Sequence, residues 1–287
     1  MNTGALPAPS VADRSVRRRL IVNADDFGKS ASVNEAVIRA HREGILTTAS
    51  LMVNEEGFEE AVALARQNPR LGVGLHLTLL CGSPALPPEA IPGLLTPARK
   101  FSDNPAGVGF RYFFLRRLRP QLRAEIRAQF QKFRATGLRL DHVNGHLHLH
   151  LHPVVFRILM EEAAALGIER VRWTRDPFRL NLQLASGHWV YRVVHAVIFN
   201  WLATRARPVL AQRGLRHTRF VFGLLQNARV DAAYVGRLLP RLPDGDSELY
   251  SHPSLDEFKH EFEALVSPEV RAQIRQLGIE LIRYQDL

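Results

Sequence analysis

Short apolar runs recur along this chain, each closing on a polar or charged residue and each followed by a segment with helical spacing. Leu20-Ile21-Val22-Asn23 leads into Asp25-Asp26-Phe27-Gly28, and Ser32 to Gly44 then repeats apolar residues at helical intervals. Ile45 to Val53 and Leu71 to Leu79 read as two more strands, with a helix from Gly57 to Gln67 between them. Leu138 to Val143, Gly167 to Arg172, Phe220 to Leu225, Ser247 to Pro253 and Gly278 to Tyr284 continue the series. Helices are expected over Gln121 to Thr136, Pro153 to Leu166, Trp189 to Ala203, Ala232 to Leu239 and Ser267 to Leu277. Strand and helix in strict alternation argue for a parallel sheet with right-handed crossovers. A length of 287 residues suits a (β/α) barrel. No repeat and no linker is visible, so the expectation is a flexible tail over 1–16 and one barrel-like domain over 17–287.

The apolar runs carry chemistry at their C-terminal ends, where a (β/α) barrel assembles its reacting groups. Two adjacent carboxylates, Asp25 and Asp26, stand at the end of the first. Ionised carboxyls are costly there unless they face a metal, a proton or solvent. His76 stands near the end of the third and His252 at the end of the strand before Pro253. The run from His142 to His152 alternates five histidines with small or apolar residues. On an extended chain that spacing turns His146, His148 and His150 to one face. Imidazole is a common ligand of transition metals; a histidine-rich loop without metal is the plainer alternative. The single Cys81 supplies no thiolate set for a closed zinc knuckle, so a metal here is expected to be catalytic. One Asp and two His leave positions open on a divalent ion. A neighbouring Asp can then accept a proton from water, while a more distant His protonates a leaving amine.

Composition narrows the setting. One cysteine excludes an internal disulfide and fits a reducing, cytoplasmic compartment. The first residues lack the apolar core of a secretory signal, and no apolar run reaches bilayer-spanning length. A net charge of +10 calls for an anionic partner or surface. Nucleic acid is the rival reading, but no recognition helix or periodic aromatic platform accompanies the charge, and no nucleic-acid partner is expected. Phe110 to Arg119 and Trp189 to Arg207 combine large apolar side chains with arginine, as interfacial segments do; packing against the barrel is the alternative. Residues 82 to 109, rich in Pro and Gly, read as a long irregular loop.

Asn23-Ala24-Asp25-Asp26-Phe27-Gly28, Gly74-Leu75-His76-Leu77, His142-Val143-Asn144-Gly145-His146-Leu147-His148 and His252-Pro253 together resemble the motifs of YdjC-type carbohydrate deacetylases. The resemblance runs from about Leu20 to the C-terminus. It implies a distorted (β/α) barrel related to polysaccharide deacetylases, one divalent metal ion (zinc or magnesium), and removal of acetyl from an N-acetylated amino sugar. It further implies Asp26, His76 and His146 as metal ligands, Asp25 as the base and His252 as the acid. Arg175-Asp176-Pro177-Phe178 resembles a superfamily motif whose arginine orients the base, which implies Arg175 in that role or on the substrate side. Asn144-Gly145 departs from the Asp-Ser of many relatives, which puts a supporting carboxylate there in doubt. The Asp-His-Val-Asn-Gly-His stretch, the Phe-Phe-Leu-Arg-Arg segment and the apolar, basic insert resemble the hopanoid-biosynthesis-associated branch. That branch implies an N-acetylglucosaminyl hopanoid lipid as substrate, an N-acetylglucosamine oligosaccharide being the alternative; the two apolar, basic segments add the expectation of peripheral contact at the inner face of an anionic membrane.

Overall fold

The computed structural model describes residues 17–287; the expected tail over 1–16 lies outside the described residues. The strands are β1 (Arg18–Phe27), β2 (Thr48–Leu51), β3 (Gly72–Leu77), β4 (Val143–Gly145), β5 (Phe220–Phe222), β6 (Gly245–Ser251) and β7 (Glu280–Ile282). They form one parallel sheet in the order β4-β3-β2-β1-β6-β5, with β7 paired to the first half of β1. The helices are α1 (Ala31–Glu43), α2 (Phe58–Gln67), α3 (Pro105–Phe114), α4 (Arg119–Ala135), α5 (Pro153–Leu166), α6 (Phe178–Leu184), α7 (Trp189–Gln212), α8 (Ala232–Leu238), α9 (Lys259–Val266) and α10 (Pro268–Gln276).

The distortion of the barrel has a local cause. The strand expected over Gly167 to Arg172 is reduced to two parallel bridges, Val143 with Val171 and Arg170 with Arg216. Backbone bonds Arg172 N–H to Val143 C=O and Val221 N–H to Arg175 C=O carry this segment from β4 across to β5. It thereby closes the ring that the hydrogen-bonded sheet leaves open, and it delivers Arg172 to the interior.

Helix boundaries follow their end signals. The Ser30 hydroxyl accepts from Val33 N–H at the start of α1, and Pro153 occupies the first turn of α5, which stops at Gly167 with φ of 67°. On α4, Leu122, Ile126, Phe130 and Phe133 form a buried stripe at helical spacing. Three helices lay beyond the sequence reading, the short α6 among them. Asn104 caps α3 by accepting from Gly107 N–H, so the expected irregular loop turns helical at Pro105. α9, starting at Lys259, was not expected at all.

The histidine run is not extended. After His146 the chain coils, with Leu147 (φ 48°) and His148 (φ 57°) both left-handed. The alternation therefore does not bring His146, His148 and His150 to one face. His148 Nε2 reaches Tyr250 Oη at 2.9 Å, His150 Nε2 the Arg172 carbonyl at 2.9 Å, and His152 Nε2 the Gly109 carbonyl at 3.1 Å. His142 bonds Ser50 Oγ at 2.9 Å and stacks on Tyr284. Gly74 explains how it fits: a Cβ there would stand 2.5 Å from the His142 ring.

Candidate metal centre and its clamped carboxylate

Asp25 and Asp26 are neighbours, so a regular strand would send them to opposite faces. The β1–β2 register shifts between Ala24 and Phe27, and Asp26 itself has φ of 64°. Such a bulge re-aims side chains at the rim of a barrel. Gly28 (φ 91°) completes the turn; a Cβ there would stand 2.8 Å from the Met52 carbonyl.

Asp26 meets His76 from β3 and His146 from the turn after β4, and one ligand atom from each lies within 4.8 Å of the others. Asp26 Oδ1 is 3.0 Å from His146 Nδ1 and 3.3 Å from His76 Nε2. Asp26 and His76 are buried, and the His146 side chain keeps 12% of its exposure. His76 Nδ1 lies 2.7 Å from Asn144 Oδ1, which can only accept, so Nδ1 carries the proton and the Nε2 lone pair faces the cluster. Two imidazole nitrogens and a carboxylate oxygen converging at this range suit a divalent ion. Burial opposes ionisation of both partners, yet His146 and His76 hold the Asp26 carboxyl well below its usual range. Asp26 in turn raises His146 to about 10 against the effect of burial.

Asp25 occupies a different environment, 2% exposed behind the triad. Its Oδ1 accepts from Asn23 Nδ2 at 2.8 Å, Arg172 Nη2 at 2.9 Å and Asn144 Nδ2 at 3.0 Å, and its Oδ2 from Arg172 Nη1 at 2.6 Å. Burial would raise this carboxyl, but the charges of Arg172 and His76 override it and hold the group far below the ordinary carboxylate range. Arg172 is fully buried and forks the other way to Glu248 Oε1, at 2.9 Å from Nε and 2.7 Å from Nη2. Tyr284 Oη also bonds Glu248.

The arginine bonded to Asp25 is thus Arg172 and not Arg175, for which the substrate-side alternative stands. Arg175 makes no bond to Asp25; its guanidinium lies over the Trp173 and Phe220 rings and lines a groove against α7. Along the closing segment Arg172 faces the interior, and Arg175, an odd number of residues later, faces outward. Asn144, the departure from the Asp-Ser pattern, supplies an amide in place of a carboxylate and bonds His76, Asp25 and Ser50.

His252 follows β6. It lines a cavity of about 250 Å³ with Asp26, Lys29, Ser254 and Phe258. Its backbone N–H donates to Glu261 Oε2 at 2.5 Å, and its ring Nδ1 is 3.8 Å from the same oxygen. Lys29 Nζ stands 3.1 Å from Asp26 Oδ2 at the rim. Arg172, Asn23, Ser50, Glu248 and Glu261 were not singled out from the sequence. Arg172 closes the run from Gly167, which also holds Glu169 and Arg170, so charge alone did not single it out.

An Asp-His-His cluster at the strand ends of a parallel barrel, beside an arginine-clamped Asp, is an arrangement suited to metal-assisted hydrolysis, and the matches to known proteins give the class as carbohydrate deacetylase. The chain belongs to the YdjC-like protein family, whose model matches residues 19–276. It is 36% identical over 275 residues to a carbohydrate deacetylase of Clostridium beijerinckii, covering 94% of this chain and 100% of that one. A chitooligosaccharide deacetylase of Proteus mirabilis is 38% identical over 172 residues, which span 57% of this chain and 63% of the relative. Among solved structures, an Enterococcus faecalis protein described in connection with cellobiose-phosphate cleavage shares the fold, with a TM-score of 0.72 at 22% identity over 94% of this chain and 98% of that one.

Proposed function

We propose that the protein removes acetyl from an N-acetylated amino sugar, with Asp26, His76 and His146 holding one divalent ion, zinc or magnesium. The observation that carries this reading is the convergence of those three ligands 3.0 to 3.3 Å apart, next to a carboxylate that four hydrogen bonds keep charged. A bound ion supplies polarisation of the amide carbonyl and a lowered pKa for the attacking water. Asp25 accepts the proton of that water; Arg172, Asn23 and Asn144 fix its oxygens so that the lone pairs need no reorganisation. His252, across the cavity from Asp26, protonates the departing amine. Its backbone N–H is anchored by Glu261 Oε2 at that point.

For the substrate, the reading extends to an N-acetylglucosaminyl hopanoid lipid, reached from the cytoplasmic side by peripheral contact with the membrane. Its support is the branch resemblance and the two apolar, arginine-rich segments. An N-acetylglucosamine oligosaccharide is the second reading, favoured by the name of the Proteus mirabilis relative. The test is acetate release from both substrate types with and without a chelator. Chelator-sensitive acetate release without phosphate release supports the deacetylase. Absence of acetate from every N-acetylglucosamine compound tried overturns it.

A further inference from the structure

Among the described residues, every large apolar side chain left exposed lies on α3, on α6 and the first half of α7, or at Leu147. On α3 these are Phe110, Phe113 and Phe114, at 66%, 46% and 58% exposure. On α7 they run from Trp189 to Trp201, with Val190 at 80% and Val197 at 66%, while the helix buries only Arg192, Ala203, Ala206 and Leu210. The first half packs on one side only, through Arg192, Ala196 and Phe199, and leaves its other side exposed.

Both patches flank the turn that carries His146. The Phe113 ring lies 6.3 Å from His152 and the Phe199 ring of α7 5.3 Å from His148, with Leu147 exposed between them. A groove of about 1000 Å³, lined by Phe178, Val193, Val197, Trp201 and Arg205, opens along α7.

The charges within these two stretches of chain have one sign. No Asp or Glu occurs between Asp176 and Asp231, nor between Asp103 and Glu125, and every charged side chain in both intervals is arginine. Arg205 lies 4.2 Å over the Trp201 ring, and Arg116 and Arg117 are exposed beside Phe113 and Phe114. A two-fold contact with a second copy through this face would set arginine against arginine and offer no exposed carboxylate in exchange. An apolar face whose exposed charges are arginines, with the buried Asp176 as the one carboxylate lining its groove and tryptophan at its edges, instead complements an anionic bilayer surface. No described helix is long and apolar enough to cross a membrane, so the contact is one of lying on the surface.

We infer that the exposed faces of α3 and α7 form a docking surface for anionic lipid bilayers, which seats the mouth of the Asp26-His76-His146 site at the headgroup layer. The inference rests on reading that site as acting on a membrane-borne N-acetylated sugar. Docking brings the site to a substrate held in the bilayer and leaves turnover of a water-soluble oligomer untouched.

The experiment is co-sedimentation of the full chain with phosphatidylcholine vesicles, with and without phosphatidylglycerol, at low and high salt. Binding to the anionic vesicles that weakens with salt is expected. Each of Arg116→Gln and Arg117→Gln should weaken it by roughly fivefold, and Val190→Glu with Val197→Glu should abolish it. Acetate release from a soluble N-acetylglucosamine oligomer should persist in these variants, which separates failure of docking from failure of the deacetylase reading. Absence of binding at low salt, or equal binding to neutral vesicles at any salt, overturns the inference. So does light scattering that shows a dimer dissociated by Val190→Glu while vesicles bind neither form.

Discussion

Replacing Arg172 removes the one cation shared by two buried carboxylates, Asp25 and Glu248, each of which it holds through two hydrogen bonds between 2.6 and 2.9 Å. Breaking a buried pair by deleting one partner is destabilising by about 3–5 kcal/mol, because the other charge stays buried alone. With two carboxylates stranded, Arg172→Met should fall at about the upper end of that range. Arg172→Lys keeps a charge but cannot fork to both sides, so it should fold and isolate the catalytic consequence. With the clamp weakened, burial gains on Asp25 and its carboxyl rises. A base with a raised pKa is protonated over a wider acidic range, so the acid limb of kcat against pH should move to higher pH. Loss of aligned general-base assistance should lower kcat by about 10²–10⁴-fold. Metal content should be unchanged, since Arg172 touches none of the three proposed ligands. The assay is acetate release from an N-acetylglucosamine oligomer across pH, with metal analysis on the same preparation. Near-normal turnover with an unmoved acid limb in a folded Arg172→Lys protein would refute the clamp.

Two further outcomes follow from the same geometry. Asp25→Asn should retain its metal yet lose about 10²–10⁴-fold in kcat, measured by acetate release alongside metal content; near-normal kcat would make Asp25 structural. Burial raises the Asp176 carboxyl from 3.8 to about 7. Between those values the unfolded chain has released a proton that the folded protein keeps, so this group favours folding fully below the lower value and loses that contribution as pH rises through the higher one. Asp176→Asn should therefore gain stability over the parent as pH rises to 8, by at most about 4 kcal/mol. Thermal melts showing no pH dependence in that difference would contradict the assignment.

The strand ends were legible because polar residues interrupt apolar runs at Asp25-Asp26, His76 and His252, where burial makes such residues costly. The rest depended on tertiary partners. The alternation from His142 to His152 suggested one shared face, but two left-handed residues after His146 turn each later ring toward its own acceptor. Arg172 could not be told from Arg175 by motif, because Glu248, far along the chain, fixes which arginine enters the barrel. Apolar content on α7 was equally compatible with a core helix and an exposed one, since exposure depends on what packs against it.

The most direct test of the central claim is metal analysis of the purified protein and of the His76→Ala/His146→Ala double variant, with circular dichroism to confirm that both are folded. About one divalent ion per chain in the parent and none in the folded double variant is the expected result. A stoichiometric ion retained by the folded double variant would contradict the Asp26-His76-His146 centre.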